Sequence, residues 1–144
     1  MRKKAQSLAS MSEISEYTRH GSATITPRVL KDLMHKLPLL KAEFTQIHAP
    51  KFPHLVDQLE FLADVVEDVM EEAYLDLPYE ALAMASFALI YVHKQMDLIP
   101  DSIPVWGLLD DSLVVRSVLL EHEQDFKAYA AILGFDWSIV TTKA

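Results

Sequence analysis

The segment that most constrains the fold runs over residues 91–111 and reads Tyr-Val-His-Lys-Gln-Met-Asp-Leu-Ile-Pro-Asp-Ser-Ile-Pro-Val-Trp-Gly-Leu-Leu-Asp-Asp. We call it the signature segment. Its four aspartates and two prolines stand among apolar residues, and no basic residue occurs from Gln95 through Val115. Each proline disfavours a helical conformation in the residue before it, here Ile99 and Ile103. The sequence therefore predicts an irregular but apolar corner, buried between two helices.

Helical patterns account for most of the remaining chain, and no alternating strand pattern competes with them. Between His54 and Tyr74, apolar residues recur at spacings of four and three while acidic residues occupy another face, which predicts an amphipathic helix. The apolar residues are Leu55, Leu59, Leu62, Val66, Val69 and Ala73. From Tyr79 to about Lys94 the chain is apolar nearly all round, which predicts a central buried helix.

Helix boundaries follow from capping residues and prolines. Thr26, followed by proline, predicts the start of a helix that is broken or kinked at Pro38 and continues to about His48. Asp110 is placed as the N-cap of one long helix that ends just before Gly134, a residue suited to the left-handed C-terminal position.

The length of 144 residues and a hydrophobic content of 51% fit one all-α domain, a compact helical bundle. We expect this domain over residues 23–144 and treat residues 1–22 as a candidate for disorder. The absence of cysteine excludes disulfides and thiolate chemistry and suits a reducing, cytoplasmic location. The longest apolar run, residues 81–92, is shorter than the roughly twenty residues of a spanning helix.

Charge is strongly segregated along a chain whose net charge is -8. Residues 1–51 hold nine Lys and Arg, whereas residues 52–93 hold nine Asp and Glu and no Lys or Arg. One interpretation is that the basic front packs on the acidic middle. The other is that the acidic face recruits a basic partner and repels nucleic acid, so we expect no nucleic-acid partner.

The aspartates of the signature segment, Asp97, Asp101, Asp110 and Asp111, have two interpretations. In the first, which we favour, Asp97 and Asp101 accept hydrogen bonds from buried amides, and Asp110 and Asp111 cap a helix. In the second, the four carboxylates bind Mg²⁺, Mn²⁺ or Ca²⁺, because these cations prefer oxygen ligands. Three nearby groups could instead pair with the acids: His93, Lys94 and Arg116.

Other catalytic signatures are absent from the sequence. The three glycines are too far apart for a phosphate loop, and there is no Gly-x-Ser-x-Gly motif. The six histidines form neither a His-x-x-x-His nor a Glu-x-x-His step. We therefore expect no organic cofactor and assign no catalytic residue.

The signature segment resembles that of the YkvA-like family, in which a hydrophobic helix leads into Pro-x-Asp-x-x-Pro-Asp and then Gly-x-x-Asp-Asp. The resemblance extends over about residues 55–137. The chain departs from the family at Gln95, where proline is usual, so a sharp helix end is not expected there. The family has no assigned biochemical role. The resemblance implies membrane association, and the same domain occurs beside transmembrane helices in a eukaryotic ubiquitin-ligase family.

Together these features predict a small non-enzymatic helical protein that binds a protein or a membrane surface peripherally. The alternative is a divalent-metal-dependent enzyme, of a hydrolytic kind, that uses the aspartates of the signature segment. Convergence of the carboxylates on one accessible pocket would favour the enzyme.

Overall fold

The computed structural model describes the backbone of residues 11–98 and 105–144 and the side chains of residues 12–95 and 109–144. Within these ranges the chain is helical and contains no strand, which confirms the all-α prediction. The helices are α1 (Met11–Ser22), α2 (Pro27–Phe44), α3 (Leu55–Met70), α4 (Tyr79–Leu98), α5 (Val105–Glu121), α6 (Glu123–Leu133) and α7 (Trp137–Val140).

Helix α4 lies at the centre of the fold, as its apolar sequence predicted. It packs against α1, α2, α3 and α5. Most of its buried side chains are small, which lets these neighbours approach closely. The small buried residues are Ala81, Ala83, Ala85, Ser86 and Ala88.

Helix α3 buries the apolar stripe that the sequence predicted. Leu55, Leu59, Leu62 and Val66 are fully buried. The helix ends at Met70, however, and Ala73 beyond it is exposed. The acidic face of α3 remains accessible at the surface.

Helix α2 differs from its prediction, because it is continuous through Pro38 and ends at Phe44, not near His48. Proline removes one backbone hydrogen bond, to the carbonyl of Met34. Because Pro38 is exposed, that carbonyl lies on the side where water can replace the lost donor. The N-cap prediction is confirmed, since the Thr26 hydroxyl accepts a hydrogen bond from the Val29 amide at 3.2 Å.

The long helix expected after the signature segment is two helices, α5 and α6, separated at His122. This change of direction lets the buried aromatic rings of α6 reach α3: Phe126 and Tyr129 contact Phe61 edge-on, at centroid distances of 6.1 and 5.5 Å. Gly134 ends α6 with a φ of 84°, as predicted. The split could not be inferred from the sequence, because it depends on this tertiary packing.

Residues 11–22, which the sequence analysis included in a candidate disordered segment, form α1 instead. This helix packs on α4 and α5, and the hydroxyls of Ser15 and Ser117 lie 3.0 Å apart. At Gly21 the helix approaches so closely that a β-carbon would lie 2.2 Å from the Phe87 ring. A glycine is therefore what permits the contact between α1 and α4.

The last residues of the chain pack back on the bundle. Gln58 is fully buried, and its amide donates to the carbonyls of Thr141 at 3.1 Å and Lys143 at 2.7 Å. Trp137 packs edge-on against Phe61 at a centroid distance of 5.7 Å. The tail thus covers one end of the helical core.

Candidate functional site

The structure describes the side chains of two of the four aspartates of the signature segment. Asp97 lies in the last turn of α4, but its side chain is outside the described residues, as is all of Asp101. Asp110 and Asp111 lie inside α5, which already includes Val105 and the residues after it. The prediction that these two aspartates cap the helix was therefore wrong, because the helix begins more than a turn earlier than the local sequence rules indicated.

Asp111 is unusual because an ionisable side chain is buried without a hydrogen-bond partner in the described structure. Its side chain is fully buried, and neither carboxylate oxygen has a hydrogen-bond partner within the described residues. Burial, together with the charge of the neighbouring Asp110, raises the pKa of Asp111 to about 8. The carboxyl group is therefore largely protonated at neutral pH, since an unpaired buried charge is costly.

Asp110 is partly exposed, and burial also raises its pKa above the usual value. Consecutive residues of an α-helix project about 100° apart, so Asp110 and Asp111 do not present their carboxylates along one direction. Among the described residues, no group of three or more potential ligands is placed to hold a metal ion.

Within the described residues, the basic groups near the signature segment form no ion pair with Asp110 or Asp111. Nδ1 of His93 lies 2.7 Å from Oε1 of Glu43. Nε of Arg116 donates to the Thr142 carbonyl at 3.0 Å. Lys94 is exposed and forms no ion pair in the described part of the chain.

Two grooves flank the exposed side of α4. The first, which we call the α1–α4 groove, has a volume of about 300 Å³ and is lined by Tyr17, Phe87, Ile90, Tyr91, Lys94 and Gln95. The second, the α2–α4 groove, has a volume of about 190 Å³ and includes Val29, Lys36, Leu40, Ile90 and Lys94. Both are mainly apolar, and they share Ile90 and Lys94. The end of α4 that leads into the signature segment therefore separates two adjacent clefts.

Tyr91 and Gln95 form the polar end of the α1–α4 groove. Nε2 of Gln95 donates to the Tyr91 hydroxyl at 3.2 Å, one helical turn away. Burial, opposed by this hydrogen bond and reinforced by the charges of Asp110 and Asp111, raises the pKa of Tyr91 to about 12. The hydroxyl thus stays protonated and can donate a hydrogen bond. Because α4 continues to Leu98, Gln95 is helical, consistent with the absence of proline there.

An acidic pocket of about 160 Å³ lies on α3 beside the tail. Asp57, Glu60, Asp64 and Asp136 line it above a floor that includes Phe61. Burial and the charges of Asp57 and Asp64 raise the pKa of Glu60 above its usual value.

The basic front of the chain is divided between two environments. Nζ of Lys41 bridges Asp64 at 3.1 Å and Glu67 at 2.7 Å, which confirms that the front packs on the acidic middle at this point. Arg28 and Lys31, by contrast, are exposed on α2 and form no ion pair within the described residues. A basic face of α2 is therefore left free.

The sequence analysis did not identify the two grooves. Tyr17 lay in the segment that was a candidate for disorder, and Tyr91 had been assigned no role. The aromatic residues Phe87 and Tyr91, spaced four apart on an otherwise aliphatic helix, were the available signal. Their cleft depends on the approach of α1, which no local pattern shows.

Comparison with known proteins gives a partial match. Residues 81–115 match the family model described as a protein of unknown function (DUF1232). The match spans most of α4, the signature segment and the first half of α5, and it supports an uncharacterised domain family. The resemblance to the YkvA-like family stays a prediction. No curated protein and no solved structure matches the chain.

Proposed function

We propose that this chain is a non-enzymatic, membrane-peripheral protein that meets an anionic membrane surface through the exposed face of α2. The observation that carries the proposal is the unpaired basic stripe on that face. Attachment would be peripheral, since none of the helices in the described ranges combines the length and the apolar character needed to cross a bilayer.

The stripe follows helical spacing along α2. Arg28, Lys31, His35 and Leu39 stand three or four residues apart, so they lie on one side of the helix. All four are exposed, and no ion pair involves them within the described residues. The opposite side of α2 carries the buried residues Leu30, Leu33, Leu37, Leu40 and Phe44. The basic side is therefore available to a partner.

Two types of interaction support binding of this stripe to a membrane. Each Lys or Arg near an anionic bilayer surface contributes about 1 kcal/mol, and Leu39 can bury apolar area between the headgroups. Opposing them are Asp32, exposed on the same helix, and the net charge of -8. Association is consequently expected to be weak, reversible and sensitive to salt.

The test is co-sedimentation with vesicles of phosphatidylcholine alone or mixed with phosphatidylglycerol. We expect binding to the anionic vesicles, loss of binding at high NaCl, and loss in the double variant Arg28→Gln/Lys31→Gln. The matched control is Lys127→Gln/Lys143→Gln, which removes two exposed positive charges outside α2. Equal loss of binding in both double variants, or no preference for anionic vesicles, would contradict the proposal.

A second candidate function is divalent-metal-dependent hydrolysis at the signature segment. One observation favours it, namely that the buried carboxylate of Asp111 lacks a hydrogen-bond donor within the described residues. Against it, no group of three or more potential ligands is placed to hold a metal ion among the described residues, which do not include the side chains of Asp97 and Asp101. Measuring whether divalent cations stabilise the protein separates the two candidates.

A further inference from the structure

The α1–α4 groove has an apolar body formed by aromatic residues from two helices. Tyr17 of α1 contacts Phe87 and Tyr91 of α4 edge-on, at centroid distances of 5.8 and 6.1 Å. Ile90 completes the lining between them. A volume of about 300 Å³ is at the lower end of the range for small-molecule sites.

The wall of this groove is held in place by close helix packing. Because Gly21 has no β-carbon, α1 can lie directly against the Phe87 ring. Tyr17, one turn before Gly21 on the same helix, is thereby fixed opposite α4. A site whose wall is held by helix packing avoids part of the ordering cost of binding.

The polar end of the groove offers hydrogen-bond donors and the positive charge of Lys94, which is opposed by the negative charge of Asp110 that acts on Tyr91. Lys94 is one of the residues that line the groove, and it has no ion pair within the described part of the chain. The Tyr91 hydroxyl already accepts from Gln95 at 3.2 Å, so its own proton is free to be donated. Two donors, one of them charged, suit the oxygens of a carboxylate.

We propose that the α1–α4 groove binds a small apolar carboxylate, such as a medium-chain fatty acid anion, with its apolar chain along Ile90 and Phe87 and its carboxylate at Lys94 and Tyr91. The positive charge of Lys94 favours an anionic ligand. Because the groove has one lysine, it suits a ligand with a single carboxylate. The aromatic lining selects an apolar body. This site does not depend on the basic stripe of α2, so either proposal can fail alone.

The test compares three ten-carbon probes, decanoate, decanol and decylammonium, by NMR titration of the purified full chain. The two ions are kept below their micelle concentrations and decanol below its solubility limit. We expect decanoate to bind saturably and most tightly, decanol more weakly and decylammonium least. The methyl signals of Ile90 should shift, while those of Ile132, exposed on α6, should not. Failure of decanoate to saturate, or tighter binding of decylammonium, would overturn the proposal.

Variants identify which groove is occupied. Lys94→Gln should weaken decanoate binding about tenfold, as expected for loss of a charge-assisted hydrogen bond, and leave decanol binding nearly unchanged. Tyr91→Phe should weaken decanoate less. The matched control is Lys36→Gln, because Lys36 lines the α2–α4 groove and not the α1–α4 groove. If Lys36→Gln weakens decanoate as much as Lys94→Gln does, the ligand is in the other groove and the proposal is wrong.

Discussion

Replacing Asp111 by Asn should change how the stability of the protein depends on pH. In the unfolded chain this carboxyl group ionises near the ordinary aspartate pKa of 3.8, whereas in the fold burial raises the pKa to about 8. Between these two pKa values, Asp111 keeps its proton in the folded state and has lost it in the unfolded state. The stability contributed by the protonated form is complete below pH 4 and is lost as the pH rises towards 8.

The magnitude follows from the same two pKa values of Asp111. A tenfold difference in proton affinity corresponds to about 1.4 kcal/mol, so at pH 7 the loss is on the order of 4 kcal/mol. That is a large fraction of the roughly 5–15 kcal/mol that stabilises a typical domain. An asparagine side chain cannot ionise. The Asp111→Asn variant should therefore lack this part of the pH dependence.

Urea unfolding of the parent and the variant at several values between pH 4.5 and pH 9 measures the effect. The free energy of unfolding of Asp111→Asn, relative to the parent, should increase steadily up to about pH 8 and then level off. Any constant cost of burying an amide shifts both ends equally and leaves the slope intact. Asp110→Asn is the control, with a smaller slope because Asp110 is partly exposed. Parallel pH profiles for the parent and Asp111→Asn would refute the reasoning.

Three further predictions concern stability. Gly21→Ala should lower the unfolding midpoint, since the new methyl group collides with Phe87. A midpoint raised by the better helix propensity of Ala would show that α1 is not tightly packed there. Gln58→Ala should lower the free energy of unfolding in urea by about 1–3 kcal/mol, because two carbonyls of the tail lose their donor. An unchanged free energy would show that the tail is not held by this residue. Saturating Mg²⁺, Mn²⁺ or Ca²⁺ should raise the midpoint no more than NaCl of equal ionic strength. A rise equivalent to about 2.7 kcal/mol at one hundred times the dissociation constant, lost in Asp110→Asn/Asp111→Asn, would instead establish a metal site.

The helices could be predicted where burial follows a regular period. Two helices show this. The apolar residues of α3 recur with helical spacing from Leu55 to Val66, and α4 is apolar on nearly all sides, so the sequence itself indicates which residues are buried. Pro38 shows the limit of a local rule: the proline lies on an exposed side of α2, where water can replace the missing donor. The break at His122 has no local signal, because it serves contacts of α6 with residues on α3.

Sequence patterns singled out the signature segment, but they did not give the environment of its residues or the two grooves beside α4. Prolines and aspartates marked the signature segment, and residues 81–115 proved to match a family model. Capping rules then gave the wrong role to Asp110 and Asp111. The reason is physical: buried carboxylates are normally paired, so no sequence rule predicts one that, like Asp111, is buried without a hydrogen-bond partner in the described part of the chain. The α1–α4 groove combines Tyr17 with Tyr91, residues that are far apart in the chain.

Because the chain contains no cysteine, a single label can report which face meets a membrane. Leu39→Cys on the basic stripe and Ile132→Cys on α6 replace residues that are 55% and 68% exposed, so both accept an environment-sensitive fluorophore. On addition of anionic vesicles, the account predicts a blue shift and increased emission for the label at position 39 and little change at position 132. Equal responses at both positions, or a response at position 132 alone, would contradict docking through α2.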